Sequence, residues 1–104
     1  MPTILQVHFP FDGPFGEAMV DAMTPLAQSI NNEPGLLWKI WTEDTESKRA
    51  GGVYLFTTRA DAEAYCKMHT ARLKNMGVTA IEAQILEANE ALSAINDGPL
   101  SGFR

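Results

Sequence analysis

Apolar and polar residues alternate with a period of two in four segments of the chain, and this alternation predicts four β-strands. The predicted strands cover residues 3–11, 36–43, 51–57 and 78–88. The third strand is apolar on both faces, because Val53 and Leu55 alternate with Tyr54 and Phe56. We therefore expect this strand to lie in the centre of its sheet.

Two further segments carry apolar residues at spacings of three and four, which predicts two amphipathic helices. The apolar stripe of the first helix consists of Met19, Ala22, Met23, Leu26, Ala27 and Ile30. We expect Asp12 or Gly13 to cap this helix, with Pro14 in its first turn. Pro25 lies inside the stripe. It predicts a kink near residues 21–24, and a break into two shorter helices is the less favoured alternative.

The second helix has clear signals at both ends. Thr58 precedes it as a capping residue, and Asp61 in the first turn is favoured by the helix dipole. The helix is predicted to run to about Met76, because Gly77 is a natural left-handed stop.

The elements follow one another in the order β-α-β-β-α-β, which predicts an α+β fold of the ferredoxin-like type. Such a fold has a four-stranded antiparallel sheet with two helices on one face. The 104-residue chain is long enough for one domain, residues 1–104, and its end, residues 97–104, is expected to form an irregular tail. Two helices can cover only one face of the sheet, so the other face needs a different cover.

The second strand carries both tryptophans, and their spacing of three places them on opposite faces. Leu36, Trp38 and Ile40 form a wholly apolar face, which we expect to lie under the helices. The uncovered face is then expected to expose Leu37, Trp41, Leu86 and either Tyr54 or Phe56. Monomers rarely expose an apolar area of this size, so we predict a homodimer in which two sheets pack face to face. His8 is expected near the same interface, in an interfacial hydrogen bond or in a switch or catalytic role.

Composition and spacing exclude several classes of protein and site. The net charge is −5 and the eight Lys and Arg residues are scattered, so neither nucleic acid nor a membrane surface is an expected partner. No apolar run could span a membrane, and residues 1–3 lack signal-peptide features, so we expect a cytoplasmic protein. Cys66 is the single cysteine, and His8 and His69 lack metal-ligand spacing, so we predict neither a disulfide nor a metal site. The chain has no phosphate-binding loop, so no nucleotide cofactor is expected.

Candidate chemistry lies on the second helix, where Tyr65, His69 and Arg72 fall on or beside one stripe. In the functional interpretation His69 is a general base or proton shuttle, because the ordinary pKa of histidine lies near neutrality. Arg72 would stabilise a developing oxyanion, and Tyr65 would position a substrate hydroxyl. In the alternative interpretation His69 makes one hydrogen bond at the edge of the core, and Arg72 makes a surface contact.

Apolar side chains that face this stripe would form the wall of a substrate pocket. We expect the wall to include Phe9, Met23, Trp38 and Leu55. In this position Trp38 would stack on an aromatic ligand, and plain core packing is the alternative for it. The flexible methionines would tolerate ligands of varied shape.

Several motifs of the chain are shared with one known family. They are LQVHF (5–9), GPFG (13–16), EPGLLWKIWTE (33–43), AGGVYLFT (50–57) and HTARLKN (69–75). Together they resemble the YdhR family of monooxygenases over nearly the whole chain, to about Asn96. The resemblance implies the dimeric α+β barrel superfamily, and with it the same fold and homodimer that the strand patterns predict.

The resemblance further implies an enzyme that oxidises a small aromatic or quinol-type substrate with molecular oxygen and uses no metal, flavin or haem. In that mechanism the pocket removes a proton from the substrate, the resulting carbanion gives an electron to oxygen, and the protein stabilises the negative charges away from water. His69 would be the base, framed by Trp38, Tyr65 and Arg72. Two alternatives stay open: a dimer that binds small aromatics without turnover, and a haem-binding relative that ligates iron through His69.

Overall fold

A computed structural model describes residues 2–100 of the chain. Its helices and strands are β1 (Thr3–Pro10), α1 (Glu17–Ile30), β2 (Leu36–Asp44), β3 (Arg49–Phe56), α2 (Arg59–Asn75), β4 (Glu82–Glu87) and α3 (Glu90–Ile95). Residues 97–100 belong to no helix or strand, and the remainder of the predicted tail, 101–104, lies outside the described residues. Within residues 2–100, none of the helices has the length and hydrophobicity needed to traverse a lipid bilayer.

The four strands form one antiparallel sheet in the order β2-β3-β1-β4. β1 pairs with both β3 and β4, so Leu5 lies opposite Tyr54 on one side and opposite Ile85 on the other. Burial alternates along β1, as expected for a strand with one covered face. The predicted ferredoxin-like α+β fold is confirmed, with β1 and β3 in the centre of the sheet.

The two faces of this sheet have different surroundings. Leu5 and Tyr54 project from one face into a core that also contains Tyr65 and Leu73 of α2. We call this side the helix face and the opposite side the open face. Because side chains alternate along a strand, the neighbours of Leu5 and Tyr54 in sequence, such as Leu55, lie on the open face.

Both ends of α2 form as predicted. The hydroxyl of Thr58 accepts a hydrogen bond from the backbone N–H of Asp61 at 3.1 Å. This contact satisfies one of the backbone donors that a helix leaves free at its start. At the other end, Gly77 has a φ of 89°, the left-handed conformation that ends a helix at little cost for glycine.

The first helix begins later than predicted. It starts at Glu17, so the expected cap at Asp12 or Gly13 is wrong. Gly13 and Gly16 have φ values of 110° and 61°, and neither conformation fits a right-handed helix. The helix then continues through Pro25, so the less favoured break into two shorter helices does not occur.

A β-bulge in β2 reverses the predicted placement of the two tryptophans. The register between β2 and β3 shifts between Leu36 and Trp38, which leaves Leu37 as the additional residue. A shift of one residue moves every following side chain to the other face. Trp38 therefore lies beside Leu55 on the open face, and Trp41 lies on the helix face.

The prediction that Tyr54 or Phe56 lies on the uncovered face is also wrong. Both side chains lie on the helix face and are fully buried, at 1% and 0% exposure. Both faces of β3 are apolar, so its sequence does not indicate which of them the helices cover. The register with β1 decides this, because Tyr54 pairs with Leu5.

The segment after β4, residues 88–100, crosses the open face. β4 and β2 are the two opposite edges of the sheet. The indole N–H of Trp38 on β2 donates a hydrogen bond to the carbonyl of Pro99 at 2.8 Å, so the chain must return over the face that carries Trp38. This segment contains α3, whose Leu92 and Ile95 are 62% and 76% exposed.

Candidate active site

A cavity lies between the helix face of the sheet and the helices α1 and α2. The space inside it that the centre of a water molecule can reach is about 50 Å³, and the figure rises to about 530 Å³ when all space between the atoms and the open mouth is counted. Most of its wall is apolar and consists of Val7, Phe9, Phe11, Met19, Met23, Leu26, Leu73, Met76 and Val78. Three titratable side chains also line it: Lys39, Tyr54 and His69. An apolar cavity with a few polar groups is the usual form of a small-molecule site.

His69 is only 4% exposed and is held in the cavity wall by α2. Arg72 donates hydrogen bonds to Nδ1 of His69, from Nε at 3.2 Å and from Nη2 at 2.9 Å. Since Nδ1 accepts these bonds, the neutral ring carries its proton on Nε2. Burial, reinforced by the positive charges of Arg72 and Lys39, lowers the pKa of His69 to about 3. His69 is therefore a neutral imidazole at physiological pH, and Nε2 has no hydrogen-bond partner among the described residues.

Two tyrosine rings pack against the imidazole of His69. The ring of Tyr65 stacks on the imidazole, with the centroids 5.1 Å apart and the planes 23° apart. Its hydroxyl donates a hydrogen bond to the Tyr54 hydroxyl at 3.3 Å and accepts one from Arg72 Nη2 at 3.5 Å. Burial raises the pKa of both Tyr54 and Tyr65, so both phenols keep their protons at neutral pH. This network fixes the orientation of the imidazole and supplies no base of its own.

Lys39 reaches the same cavity from β2. Its Nζ lies 3.4 Å from the centroid of the Trp41 ring and 4.7 Å from that of the Tyr54 ring, both within the range of a cation–π contact. Burial, reinforced by the charge of Arg72, lowers the pKa of Lys39 to about 7. Unlike an ordinary surface lysine, Lys39 is thus partly neutral at physiological pH.

The cavity brings together five of the residues predicted to form the site. Phe9, Met23 and His69 line it directly. Tyr65 and Arg72 contact His69 and hold its ring in place. The spacing along α2 explains the second group, because residues three and four apart lie on one side of a helix. The roles assigned to these five residues stay predictions.

Other predicted site residues lie elsewhere in the fold. Trp38 and Leu55 are on the open face, so the prediction that they face the pocket is wrong. Trp41 lines the cavity, so its predicted place on the uncovered face is wrong too. The bulge in β2 explains why both tryptophans lie on the face opposite to the predicted one. The face of Leu55 was not predictable because both faces of β3 are apolar. His8 and Leu86 do lie on the open face, and their place in an interface stays a prediction.

The sequence pattern does not predict that Lys39 lines the cavity, because strict alternation puts its side chain on the uncovered face. One signal of it is present in β3, where the pair Gly51-Gly52 interrupts a strand. Glycine inside a strand often marks a place where another group approaches closely. A Cβ atom at Gly52 would lie only 2.7 Å from Cε of Lys39, so this glycine makes room for the lysine side chain.

The histidines of the chain do not share a site. His8 lies on the open face of β1, and His69 lies on the opposite side, above the helix face. Within residues 2–100, no three side chains of His, Cys, Asp or Glu come close enough together to hold a metal ion. The polar chemistry of the cavity therefore rests on an imidazole, a phenol, an amine and a guanidinium.

Comparison with solved structures finds the same fold in other proteins. One is described as a "putative antibiotic biosynthesis monooxygenase" from Deinococcus radiodurans, with 15% identity, a TM-score of 0.61, and 84% of this chain and 92% of that chain covered. Another is SnoaB, a cofactor-independent oxygenase from Streptomyces nogalater, with 12% identity, a TM-score of 0.59, and coverage of 85% and 93%. At these identities the likeness shows the fold alone.

Sequence comparison is more specific. No curated protein matches the chain significantly. The family model described as "Putative mono-oxygenase ydhR" matches residues 4–99. Because this match spans nearly all of the 104 residues, the chain belongs to the ydhR mono-oxygenase family.

Proposed function

We propose that the protein is a cofactor-independent monooxygenase that oxidises a small aromatic or quinol-type substrate with molecular oxygen. Membership of the mono-oxygenase family supports the reaction class. The apolar cavity with aromatic walls supports the substrate class. The main support comes from the state of His69. It is a neutral imidazole in the cavity wall, and its N–H donor has no partner in the described part of the protein.

In this proposal His69 donates a hydrogen bond and does not act as the general base predicted from the sequence. Arg72 occupies Nδ1, and a pKa of about 3 leaves the imidazole little affinity for a further proton. The Nε2–H group would donate to a substrate oxygen while negative charge develops on it, in surroundings of low dielectric where such a bond is strong. Arg72 adds positive charge behind the ring, and Tyr65 keeps the ring in place.

The proposed reaction begins when a hydroxyl of the substrate gives its proton to the free amine of Lys39, which later returns this proton to the peroxide. The resulting anion transfers one electron to O₂, and the substrate radical and superoxide combine through a new C–O bond to give a peroxide. After the peroxide takes up a proton, its O–O bond breaks while the same carbon loses a hydrogen. One oxygen atom stays on that carbon as a carbonyl, and the other leaves as water. All four electrons come from the substrate, so the reaction consumes no external reductant.

Oxygen uptake tests this proposal. Purified protein is mixed with a panel of quinols in buffer that contains a metal chelator, and O₂ consumption is followed with an electrode. We expect uptake by the wild type and a decrease of about 100-fold in His69→Ala, the usual cost of losing one oxyanion donor. His8→Gln is the matched control, because His8 lies on the open face and should leave uptake unchanged.

His69→Gln separates the two roles of His69. The amide of glutamine can donate a hydrogen bond but cannot serve as a base. We expect this variant to retain much more activity than His69→Ala. Equal loss in both variants would contradict the donor role and favour the general base.

If small aromatics bind but no oxygen is consumed, the result would favour the alternative function, a non-catalytic binder of small aromatics, over the monooxygenase.

A titration of the protein with haem tests the remaining alternative, a haem-binding protein. Ligation of the iron through His69 would shift the haem absorbance in the wild type and not in His69→Ala. We expect no shift, because the hydrogen bonds from Arg72 to Nδ1 keep the ring proton on Nε2, and a protonated ring nitrogen has no lone pair for iron.

We also propose that the protein is a homodimer in which two open faces pack together, in a cytoplasmic location and with neither nucleic acid nor a membrane as a partner. The open face exposes Ile40 by 56% and Leu86 by 40%, and α3 adds the exposed Leu92 and Ile95. Residues 88–100 cover only part of this apolar surface. A second copy would remove the remainder from water. His8 would lie at the same interface.

Sedimentation at micromolar concentration tests the assembly. We expect a dimer for the wild type. Leu86→Lys should dissociate it, because the substitution would place two unpaired charges in an apolar contact. A wild-type protein that sediments as a monomer over the whole concentration range would contradict the proposed dimer.

A further inference from the structure

Lys39 is positioned in the cavity by three local features. The bulge in β2 turns its side chain to the helix face, opposite Tyr54. Gly52 leaves the space that the lysine stem needs. The rings of Trp41 and Tyr54 then flank the amine at 3.4 and 4.7 Å. Lys39 has no hydrogen bond or ion pair with any other described residue. The amine is therefore held in place without a polar partner.

The charges that act on Lys39 and His69 are positive, although the chain as a whole carries a net charge of −5, whereas Tyr65 also experiences the negative charge of Glu33. Among residues 2–100, no Asp or Glu side chain lines the cavity. Among the described residues the salt bridge is between Arg49 and Glu82, and neither of them belongs to the cavity wall. The charges that act on His69 are those of Arg72 and Lys39. A buried cation without an anion is costly, so the arrangement lacks a negative partner.

We infer that Lys39 is the charge partner of the ligand, and that the cavity prefers aromatic compounds with an acidic oxygen, bound as anions, over neutral aromatics. The inference rests on the proposed function, because it assigns a ligand class to the same cavity. The ammonium group would pair with the oxyanion of the ligand. The rings of Trp41 and Tyr54 would hold the ammonium, and the apolar wall would enclose the aromatic ring of the ligand.

Two routes lead to the same ion pair. A ligand that arrives as an anion meets the ammonium form of Lys39. A ligand that arrives as a neutral acid gives its proton to the free amine, so that an O–H bond breaks, an N–H bond forms, and no other reactant is consumed. The pKa of about 7 makes both forms of Lys39 available near neutral pH. The groups around it do not compete for this proton, since Arg72 stays charged and His69 and Tyr54 stay neutral.

A matched pair of probes tests the inference. The carboxylate 2-naphthoate and the neutral amide 2-naphthamide have similar shapes, and their binding near neutral pH is measured by calorimetry. We expect the wild type to bind the carboxylate about 10-fold more tightly, the usual contribution of a charge-assisted hydrogen bond. Lys39→Met should abolish this preference by weakening naphthoate alone. Lys39→Arg keeps the charge and should retain the preference.

Equal affinity of the wild type for the two probes would overturn the inference. So would a preference that survives in Lys39→Met, or the failure of both probes to bind. Gly52→Ala is a second variant, because the new methyl group forces Cε of Lys39 to move while the charge is kept. It should weaken naphthoate more than naphthamide.

A measurement on the wild type covers the case in which a variant does not fold. In protein labelled with ¹³C at lysine Cε, the pKa of Lys39 should rise when naphthoate binds and stay unchanged with naphthamide. A pKa that does not respond to naphthoate would contradict the ion pair. Both binding measurements are independent of oxygen uptake, so an error about the ligand class can be distinguished from an error about the reaction.

Discussion

The two faces of the sheet use their tryptophans in opposite ways. On the helix face, Trp41 lies against Lys39 in the wall of a cavity. On the open face, Trp38 donates its indole N–H to Pro99 and so ties the end of the chain to the sheet. One bulge residue, Leu37, decides which indole reaches the cavity. A single extra residue in a strand can therefore exchange a cavity-facing side chain for one that packs elsewhere.

The two faces also differ in whether their charged side chains form ion pairs. On the open face Arg49 and Glu82 pair at 2.9 Å while their side chains stay 39% and 74% exposed, a type of contact that contributes little to stability. On the helix face Lys39 and Arg72 have no acidic partner among the described residues. Charge is balanced on the solvent side and left unbalanced on the cavity side. This imbalance favours the binding of a negatively charged ligand.

The neighbouring glycines of β3 give the largest expected contrast between the faces. A Cβ atom at Gly51 would collide with the backbone carbonyl of Val7, which cannot move without disturbing β1. At Gly52 its closest contact would be the flexible end of Lys39, with the Tyr54 ring and the Ile40 carbonyl at 3.2 and 3.3 Å. We expect Gly51→Ala to lower the free energy of unfolding by about 3 kcal/mol, which corresponds to a fall in Tm of roughly 15 °C. Gly52→Ala should cost no more than about 1 kcal/mol. Thermal denaturation of the two variants measures this, and equal losses would contradict the different surroundings of the two positions.

A second contrast compares the tryptophans as ligand contacts. We expect Trp41→Ala to weaken the binding of 2-naphthoate about 10-fold, because the substitution removes an aromatic wall and the ring that supports Lys39. Trp38→Ala should leave the affinity within about twofold, since its side chain lies on the other face. Calorimetry on both variants, each checked for folding by circular dichroism, decides between them. Weaker binding in Trp38→Ala alone would restore the face assignment that strict alternation predicts.

A smaller effect is expected in the dependence of stability on pH. The pKa of His69 lies near 3 in the folded protein, against about 6.5 in an unfolded chain. Between these values the unfolded chain binds more protons, so the stability that neutral His69 provides is complete above pH 6.5 and is lost as the pH falls. Between pH 6.5 and 5.5 this loss amounts to about 1 kcal/mol.

Urea denaturation of the wild type and of His69→Gln measures this contribution. Other groups that titrate should affect both proteins alike, so the difference between them isolates His69. We expect the wild type to lose more stability than the variant over this range of pH. Parallel curves would show that the pKa of His69 is not lowered by folding.

The α2 half of the site could be predicted from the sequence because its geometry is local. Helical spacing places Tyr65 and His69 on one face, and Thr58 and Gly77 mark the ends of the helix by their own side-chain and backbone properties. These signals need no information from distant parts of the chain. The register of α2 is therefore confirmed residue by residue.

The β2 half could not be predicted, because its geometry depends on pairing between strands. Alternation shows which residues share a face, but it cannot show that Leu37 is an additional residue or which face of β3 the helices cover. Strict alternation consequently places Lys39 and Trp41 on the wrong face. The lowered pKa of His69 also depends on Lys39 and burial, so it could not be read from α2 alone.

The protonation state of His69 decides whether this residue acts as a neutral hydrogen-bond donor. In protein labelled with ¹⁵N and ¹³C at histidine, NMR spectra recorded from pH 8 down to pH 5 report which ring nitrogen carries the proton. We predict that His69 remains neutral throughout, with the proton on Nε2 and with Nδ1 unprotonated, while it accepts hydrogen bonds from Arg72. A ring that takes up a proton near pH 6.5, or one that carries its proton on Nδ1, would contradict the role of His69 as a neutral donor.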